Sequence, residues 1–215
     1  MLDKEPMTVY RGEDSRTASH YYLLPSIERI FEKMRVPKDA VILDAGCGGG
    51  HIAHELYERG YKNIWGFDVS EASVAIIKKS YIHIKNKFEV HNAYHRELPG
   101  SLPKKDYDIV LSVEVVEHLY SPKEYLGNIS FWLKKGGFFI ITTPYHGYIK
   151  NLTISLLNKS DKHFNPMLDG GHVKFFSKKT LYRLLDELGI RPLKFYGSGR
   201  LPFLWKSMIV VARNE

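Results

Sequence analysis

The sequence predicts an α/β fold: a seven-stranded, mostly parallel sheet with helices on both faces and a C-terminal antiparallel hairpin. Three observations carry that expectation. Short apolar runs at 41–43, 63–67, 88–90, 107–112 and 138–143 alternate with stretches of helical periodicity, as parallel strands joined by crossover helices do. The runs are nearly continuous rather than alternating, which suits strands covered on both faces. The last two runs, about 190–196 and 207–213, have no helix between them and read as a hairpin. No internal repeat or low-complexity segment interrupts the pattern, so residues 1–215 are expected to form a single domain.

Residues 1–17 carry no periodicity, and from about Ser19 the positions Tyr22, Leu23, Ile27, Ile30, Phe31 and Met34 fall on one helical face. Pro25 is placed in the first turn of that helix or at a kink. In this fold class such a helix often lies over the ligand crevice, so residues 1–36 are expected to form a lid, with His20, Tyr21 and Tyr22 at its mouth. The strand at 41–43 ends in Asp44-Ala45-Gly46-Cys47-Gly48-Gly49-Gly50, and a helix follows from His51 to Arg59, stopped by Gly60. Ser70 is a plausible N-cap for a helix that Val74, Ile77, Tyr81 and Ile84 continue. Ser121, Pro122 and Glu124 open a helix that runs through Leu126, Ile129 and Leu133 to Lys134-Lys135-Gly136-Gly137. Residues 145–176 depart from the βα alternation and are expected to be an insertion covering an acceptor site. Ser177 then caps a helix with Leu181, Leu184, Leu185 and Leu188 on one face, ending at Gly189.

Strand, glycine turn and helix together turn backbone N–H groups and a helix N-terminus toward a ligand. Glycine is needed in that turn because a Cβ would block both the turn and the ligand. Asp68 follows the next strand, where a carboxylate can accept both hydroxyls of a ribose. A dinucleotide fingerprint, G-x-G-x-x-G, would need its third glycine at position 51, which is histidine. The spacing from Gly46 is instead G-x-G-x-G, preceded by Asp44. That run resembles motif I of the class I S-adenosylmethionine (SAM) dependent methyltransferases, and Gly66-Phe67-Asp68-Val69-Ser70 resembles their motif II. Val113-Glu114-Val115-Val116-Glu117-His118-Leu119 resembles motif IV as it stands in the ubiquinone-biosynthesis-type (methyltransferase type 11/12) O-methyltransferase branch, and Leu133-Lys134-Lys135-Gly136-Gly137 is a further match.

The resemblance implies a Rossmann-like domain with S-adenosyl-L-methionine as cofactor. It implies contacts from Asp44, Gly46, Cys47, Gly48 and Gly50 of the loop, from Asp68 and Val69, from Asn92 and Ala93 at the adenine, and from Val113 and Glu114 at the methionine end. Asn92 stands where an aspartate is commoner in the family. Cys47, the only cysteine, reads as a small packing residue rather than a nucleophile, and no internal disulfide can form.

A sulfonium already activates the methyl group, so the protein must align the acceptor, exclude water and, for a hydroxyl acceptor, help remove a proton. The candidate bases are His118, His146 and His172, because imidazole titrates near neutral pH. On a helical turn Glu114, Glu117 and His118 would stand at i, i+3 and i+4 and converge, with His172 as a fourth ligand, a set that suits magnesium, manganese, iron or zinc. Glu-x-x-Glu-His with a distant histidine resembles the metal site of small-RNA 3′-terminal 2′-O-methyltransferases. The first part is also similar to quinone-biosynthesis O-methyltransferases, which take polyprenylated catechols. The same residues occur in branch members without a metal, where Glu117 and His118 would cap and orient the loop. His51, His54, His83 and His95 have no such context and are expected at the surface.

Three functions therefore stand side by side: O-methylation of a small molecule such as a quinol, catechol or sugar; a metal-dependent RNA 2′-O-methyltransferase; and a SAM-binding module without catalysis. The net charge of +7 admits an anionic partner, but the lysines fall in dispersed pairs and no aromatic-interleaved basic stripe is visible, which weighs against RNA. The apolar runs are too short for a transmembrane segment and the N-terminus lacks an apolar signal region, so a cytoplasmic location fits. Residues 197–205, rich in Leu, Pro, Phe and Trp, are expected to wall the acceptor pocket, touch a membrane peripherally, make a dimer contact or fold back on the core. A monomer and a homodimer are both compatible with the sequence.

Overall fold

The computed structural model describes residues 19–167 and 170–215. Most of the expected lid segment before Ser19, and residues 168 and 169 of the insertion, lie outside the described residues. Seven strands form one sheet: β1 Ile42–Ala45, β2 Ile64–Asp68, β3 Phe88–Val90, β4 Tyr107–Val113, β5 Leu133–Pro144, β6 Ile190–Ser198 and β7 Ser207–Asn214. Their order is β3-β2-β1-β4-β5-β7-β6, with β1 to β5 parallel and β7 antiparallel between β5 and β6. The chain thus runs outward from β1 to β3, returns to β4 and continues the other way. The crevice between the β1 and β4 ends is the switch point where sheets of this kind bind ligands.

Helices cover both faces, and alternate strand residues feed two cores. Ile42, Ile109 and Ile140 pack with Leu23, Ile27 and Phe31 of α1 (His20–Met34) and with Ile52 and Leu56 of α2 (His51–Glu58). Ile77 of α3 (Glu71–Ser80) joins the same cluster. Leu43, Val110, Phe139 and Ile141 face the other way, onto Tyr125, Ile129 and Trp132 of α4 (Pro122–Trp132). Leu181 and Leu185 of α7 (Lys178–Asp186) complete that side. This period of two explains why strands with no polar face appear as unbroken apolar runs in the sequence. Ser177 caps α7 as expected, in a capping box with Thr180.

The structure corrects three local expectations. α4 ends at Trp132, and Leu133 to Gly137 belong to β5 rather than to the helix. The Asn214 side chain donates to Ser130 O and Leu133 O, taking over carbonyls that the helix end leaves open, while Leu133 pairs with Tyr107. α3 stops at Ser80: Tyr81 leaves helical geometry and stacks on His54 at 4.1 Å, and the chain then turns to bury Ile84. Residues 114–118 are not a turn of α-helix. Glu114 has φ +56° and a single 3-10 turn spans Val116–His118.

The insertion contains α5 (Tyr148–Leu156) and the short α6 (Ser160–His163). No helix among the described residues is long and apolar enough to cross a membrane.

Candidate active site

The loop after β1 is folded by its glycines. Gly46, Gly48 and Gly50 have φ of +81°, +52° and +77°. A Cβ on Gly46 would stand 2.6 Å from Val115 Cγ2, so the loop packs directly against the exit of β4. A Cβ on Gly48 would meet nothing within 4 Å, so this glycine borders open space. The N–H groups of Gly46 and Cys47 both donate to Phe67 O at 2.9 Å, tying the loop to β2. Asp68 completes it: Oδ2 accepts from Gly48 N at 2.8 Å and Oδ1 from Ser70 N at 2.9 Å.

Asp44 is buried, its Oδ2 has no partner among the described residues, and burial followed by the nearby Asp68 charge raises its pKa to about 7. Burial, then Asp44 and Asp68, hold the Cys47 thiol well above its ordinary range, as expected for a packing residue. Val69 lies half-buried between Asp68 and Ser70. The Asn92 side-chain oxygen accepts from Tyr94 N at 3.0 Å, and Ala93 O accepts from Asn128 Nδ2 at 3.0 Å.

At the end of β4, half-buried Val113 leads into Glu114, whose left-handed backbone turns its carboxylate into a buried network. Oε1 accepts from Thr142 Oγ1 at 2.8 Å, and Oε2 accepts from Ser207 Oγ at 3.2 Å. With its proton on Glu114, Ser207 Oγ must accept the 3.0 Å hydrogen bond from Tyr22 OH. A relay thus joins α1, β7, β4 and β5. Burial, then Glu114, raise the Tyr22 phenol to about 12, so it remains protonated. Burial raises Glu114 itself, against the opposing pull of Thr142 and Ser207.

Glu117 is fully buried, its carboxylate oxygens meet no partner within hydrogen-bond geometry among the described residues, and burial then Glu114 raise its pKa against the opposing pull of its own backbone and the nearby Thr143 hydroxyl. Side-chain donor atoms of Glu117, His118 and His172 lie within 4.8 Å of one another. Glu114 stands outside this group, because its carboxylate is directed to Thr142 and Ser207 instead of sharing a helical face. The segment carrying His172 is docked by Val173 N and Lys174 N on Glu117 O, at 2.8 and 3.0 Å. His118 Nδ1 lies 3.1 Å from Gly170 O. A carbonyl only accepts, so Nδ1 carries the hydrogen and Nε2 is left with a lone pair. Burial lowers the His118 pKa, and partial burial followed by the His118 ring lowers His172 to about 4. Both rings are therefore neutral at pH 7.

His146 does not join this group. It is buried among the rings of Phe164, Phe175 and His163, at centroid separations of 5.7, 5.1 and 5.8 Å. Two further features lie beyond what spacing showed. His51, expected at the surface, is buried at the start of α2 with its ring 5.1 Å from that of His20. Lys150 is the buried residue of α5, donating to Lys206 O at 3.2 Å. Burial, then Arg200, push it down to about 8. The inward turn of the one charged residue of this helix had no signal in the sequence.

A family model described as a methyltransferase domain matches residues 15–194. The ubiquinone biosynthesis O-methyltransferase of Ruegeria sp. (strain TM1040) is 27% identical over 179 residues, or 77% of this chain and 66% of the relative. That of Rickettsia bellii is 31% identical over 164 residues, 76% of this chain and 67% of the relative. A probable S-adenosylmethionine-dependent methyltransferase of Mycolicibacterium smegmatis is 31% identical over 148 residues, 69% of this chain and 51% of the relative. The chain thus spans from about half to about two thirds of the length of these relatives.

Among solved structures, magnesium protoporphyrin IX methyltransferase from Synechocystis PCC 6803 with bound SAH has a TM-score of 0.65 at 17% identity, over 90% of this chain and 82% of that one. The [4+2]-cyclase SpnF has a TM-score of 0.69 at 16% identity, over 97% and 88%. At these identities the likeness is one of fold.

Proposed function

The chain belongs to the methyltransferase-domain family, and from that premise we propose that it moves a methyl group from S-adenosyl-L-methionine to a hydroxyl of a small molecule. The observation that carries the cofactor is the pairing of the glycine loop with Asp68. Two backbone N–H groups fix the Asp68 carboxylate, which leaves further lone pairs for the ribose hydroxyls. The open side of Gly48 and the unpartnered Asp44 Oδ2 fit a bound, partly cationic ligand beside them. Asn92 has one amide lone pair left for the adenine amine. Val113 and Glu114 line the methionine end, with Glu114 held in place by its relay rather than free to act as a base. The hydroxyl acceptor is supported by the motif IV resemblance and by the two relatives named as ubiquinone biosynthesis O-methyltransferases.

When bound, S-adenosyl-L-methionine supplies a methyl group activated by a sulfonium. The chain's own part is to hold that group, cover it and take the proton that the acceptor hydroxyl gives up. His118 suits proton removal, since Gly170 O orients the ring through Nδ1 and neutral Nε2 is free to accept. His172 is its neighbour, with ring centroids 4.9 Å apart. His146, buried between aromatic rings, fits a packing role better than a catalytic one.

A second reading rests on the buried, unpartnered Glu117 carboxylate. A charge desolvated without a partner costs several kcal/mol, and a cation beside it removes that cost. Glu117, His118 and His172 make a mixed oxygen and nitrogen set that suits a borderline divalent ion such as zinc, manganese or iron. There it would supply Lewis acidity toward an acceptor hydroxyl.

The test is transfer of labelled methyl from S-adenosyl-L-methionine to quinols, catechols, sugars and short RNAs, with added divalent ion and again with chelator. We expect transfer to a phenolic acceptor, and His118→Ala is expected to lower it by about 10²-fold or more. Loss on chelation, together with loss of divalent-ion binding in Glu117→Gln, supports the metal reading. Transfer that survives chelation removes it. Transfer to RNA alone overturns the small-molecule acceptor, and cofactor binding without any transfer favours a SAM-binding module. The fold of SpnF shows that architecture alone does not decide among these outcomes.

A further inference from the structure

A buried cation without a counter-ion stands beside the crevice. Lys150 of α5 is 4% exposed, and its ammonium donates to Lys206 O at 3.2 Å. Among the described residues no carboxylate lies within ion-pairing distance of it. An ammonium has three N–H groups and a single carbonyl engages one of them. Burying a charge is costly unless an opposite charge meets it, so this lysine is held ready for an anion that a ligand brings.

The surroundings add positive charge instead of removing it. Burial, then Arg200, lower the Lys150 pKa, and the opposing pull of Glu114 is weaker than either. Arg200 is exposed and has no ion pair among the described residues. Burial, then Lys150 and Arg200, lower His163, and burial, then Lys150, lower His146. Cationic groups from α5, α6 and the β6–β7 connection thus act on one another. Glu114, the acid that acts on Lys150, is already held by Thr142 and Ser207.

Position decides which ligand the anion belongs to. Lys206 immediately precedes β7, and Ser207, which opens β7, donates to Glu114 at the end of β4. Lys150 therefore meets the crevice from the β7 side. The glycine loop and Asp68 follow β1 and β2, on the far side of β4, so an anion at Lys150 lies beyond the cofactor. The histidine pair is on the lysine's side. The His172 ring is 4.9 Å from that of His118, and burial, then His118, His163 and Lys150, lower its pKa.

We propose that Lys150, assisted by Arg200, binds an anionic group, a carboxylate or a phosphate, carried by the methyl acceptor. The identity of the ligand as the acceptor rests on the methyl-transfer reading, whereas the anion site rests on the lysine itself. The acceptor is then held at two points, its hydroxyl toward His118 and its anion on Lys150. A neutral quinol or sugar leaves the buried ammonium unmatched and is discriminated against.

The test compares 3,4-dihydroxyphenylacetate, its phosphonate counterpart and its neutral amide. Binding is followed by ligand-observed NMR without S-adenosyl-L-methionine, and methyl transfer is measured separately. The better anion is expected to bind about tenfold or more tighter than the amide, and its identity tells carboxylate from phosphate. Lys150→Met keeps the length of the side chain and should bring that ratio close to one. Arg200→Gln, at an exposed position, should lower the ratio about two- to fivefold, so a failure of the first variant to fold does not remove the test. Equal binding of amide and anions by the parent overturns the proposal, as does an anion preference that both variants keep. Loss of S-adenosyl-L-methionine affinity in Lys150→Met, with the ratio unchanged, assigns the lysine to the cofactor's carboxylate and overturns it too. An anion preference lost in Lys150→Met, with no methyl transfer to any of the three, supports the anion site and counts against the methyl-transfer reading. Equal binding with equal methyl transfer does the reverse.

Discussion

At the scale of single residues, the cofactor site depends on what one carboxylate can accept. Asp68 receives Gly48 N on one oxygen and Ser70 N on the other. An asparagine has the same shape but only one oxygen, so Asp68→Asn must turn an NH2 toward one of those donors. It must also offer the ribose fewer acceptors. Hydrogen bonds to a charged group contribute roughly 1.5–3 kcal/mol, so the dissociation constant for S-adenosyl-L-methionine is expected to rise about ten- to a hundredfold. Titration calorimetry of the two proteins measures it, and a change within about twofold would sink the assignment. Gly46 is constrained differently: it combines φ +81° with a Cβ position 2.6 Å from Val115, so even alanine must displace either the loop or the β4 exit. The glycine spacing and the strand-end acid were legible in the sequence because they are local features, whereas the contact of Gly46 with Val115 was not, since it joins two loops far apart in the chain. The absence of Glu114 from the Glu117 group was not legible, since it follows from one left-handed residue that non-glycine side chains seldom adopt.

At the scale of elements, strands and helices were readable wherever burial imposed a period. The reading failed where a distant residue decided the local structure. Asn214 ends α4 from the far end of the chain, and burial of Ile84 draws the segment after α3 out of its helix. The insertion was recognisable only as a break in the alternation, because its packing rests on aromatic rings that come together in space. His146 sits at the centre of that packing and makes it sensitive to acid. Burial, then Lys150, lower its pKa from 6.5 to about 4. A group that is a weaker base in the folded state contributes stability above its unfolded pKa and loses it as pH falls through the folded one. Stability should therefore decline between about pH 6.5 and 4 as the unfolded state takes up the proton. Phenylalanine suits the same ring-lined place without titrating. In urea unfolding at pH 7 and pH 4.5, His146→Phe should lose less stability than the parent. The difference is expected to be on the order of 1–2 kcal/mol, below the full shift because the ring keeps some solvent contact. Equal losses in both proteins would remove His146 as the cause.

At the scale of the whole molecule, the proposed ligand touches parts of the chain that folding alone holds together. The glycine loop follows β1, Asp68 ends β2, Asn92 follows β3, and Glu114 follows β4. Tyr22 and Ser207 join Glu114 from α1 and β7. A ligand spread over these elements binds the folded chain and not the unfolded one, so its binding energy adds to global stability. At a hundredfold excess over the dissociation constant that addition is about 2.7 kcal/mol. For a domain of this size each kcal/mol moves the midpoint by about 2–4 °C, so S-adenosyl-L-methionine is expected to raise the unfolding temperature by roughly 5–10 °C. At the same ligand concentration Asp68→Asn, with its ten- to hundredfold weaker site, should gain only about 0.4–1.4 kcal/mol and show roughly half of that rise or less. The comparison tests location as well as binding. An equal rise in both proteins would place the ligand somewhere other than the β1–β4 crevice. No rise in the parent, at concentrations that saturate related enzymes, would remove S-adenosyl-L-methionine as its cofactor, since a ligand held by this many elements cannot bind without stabilising all of them.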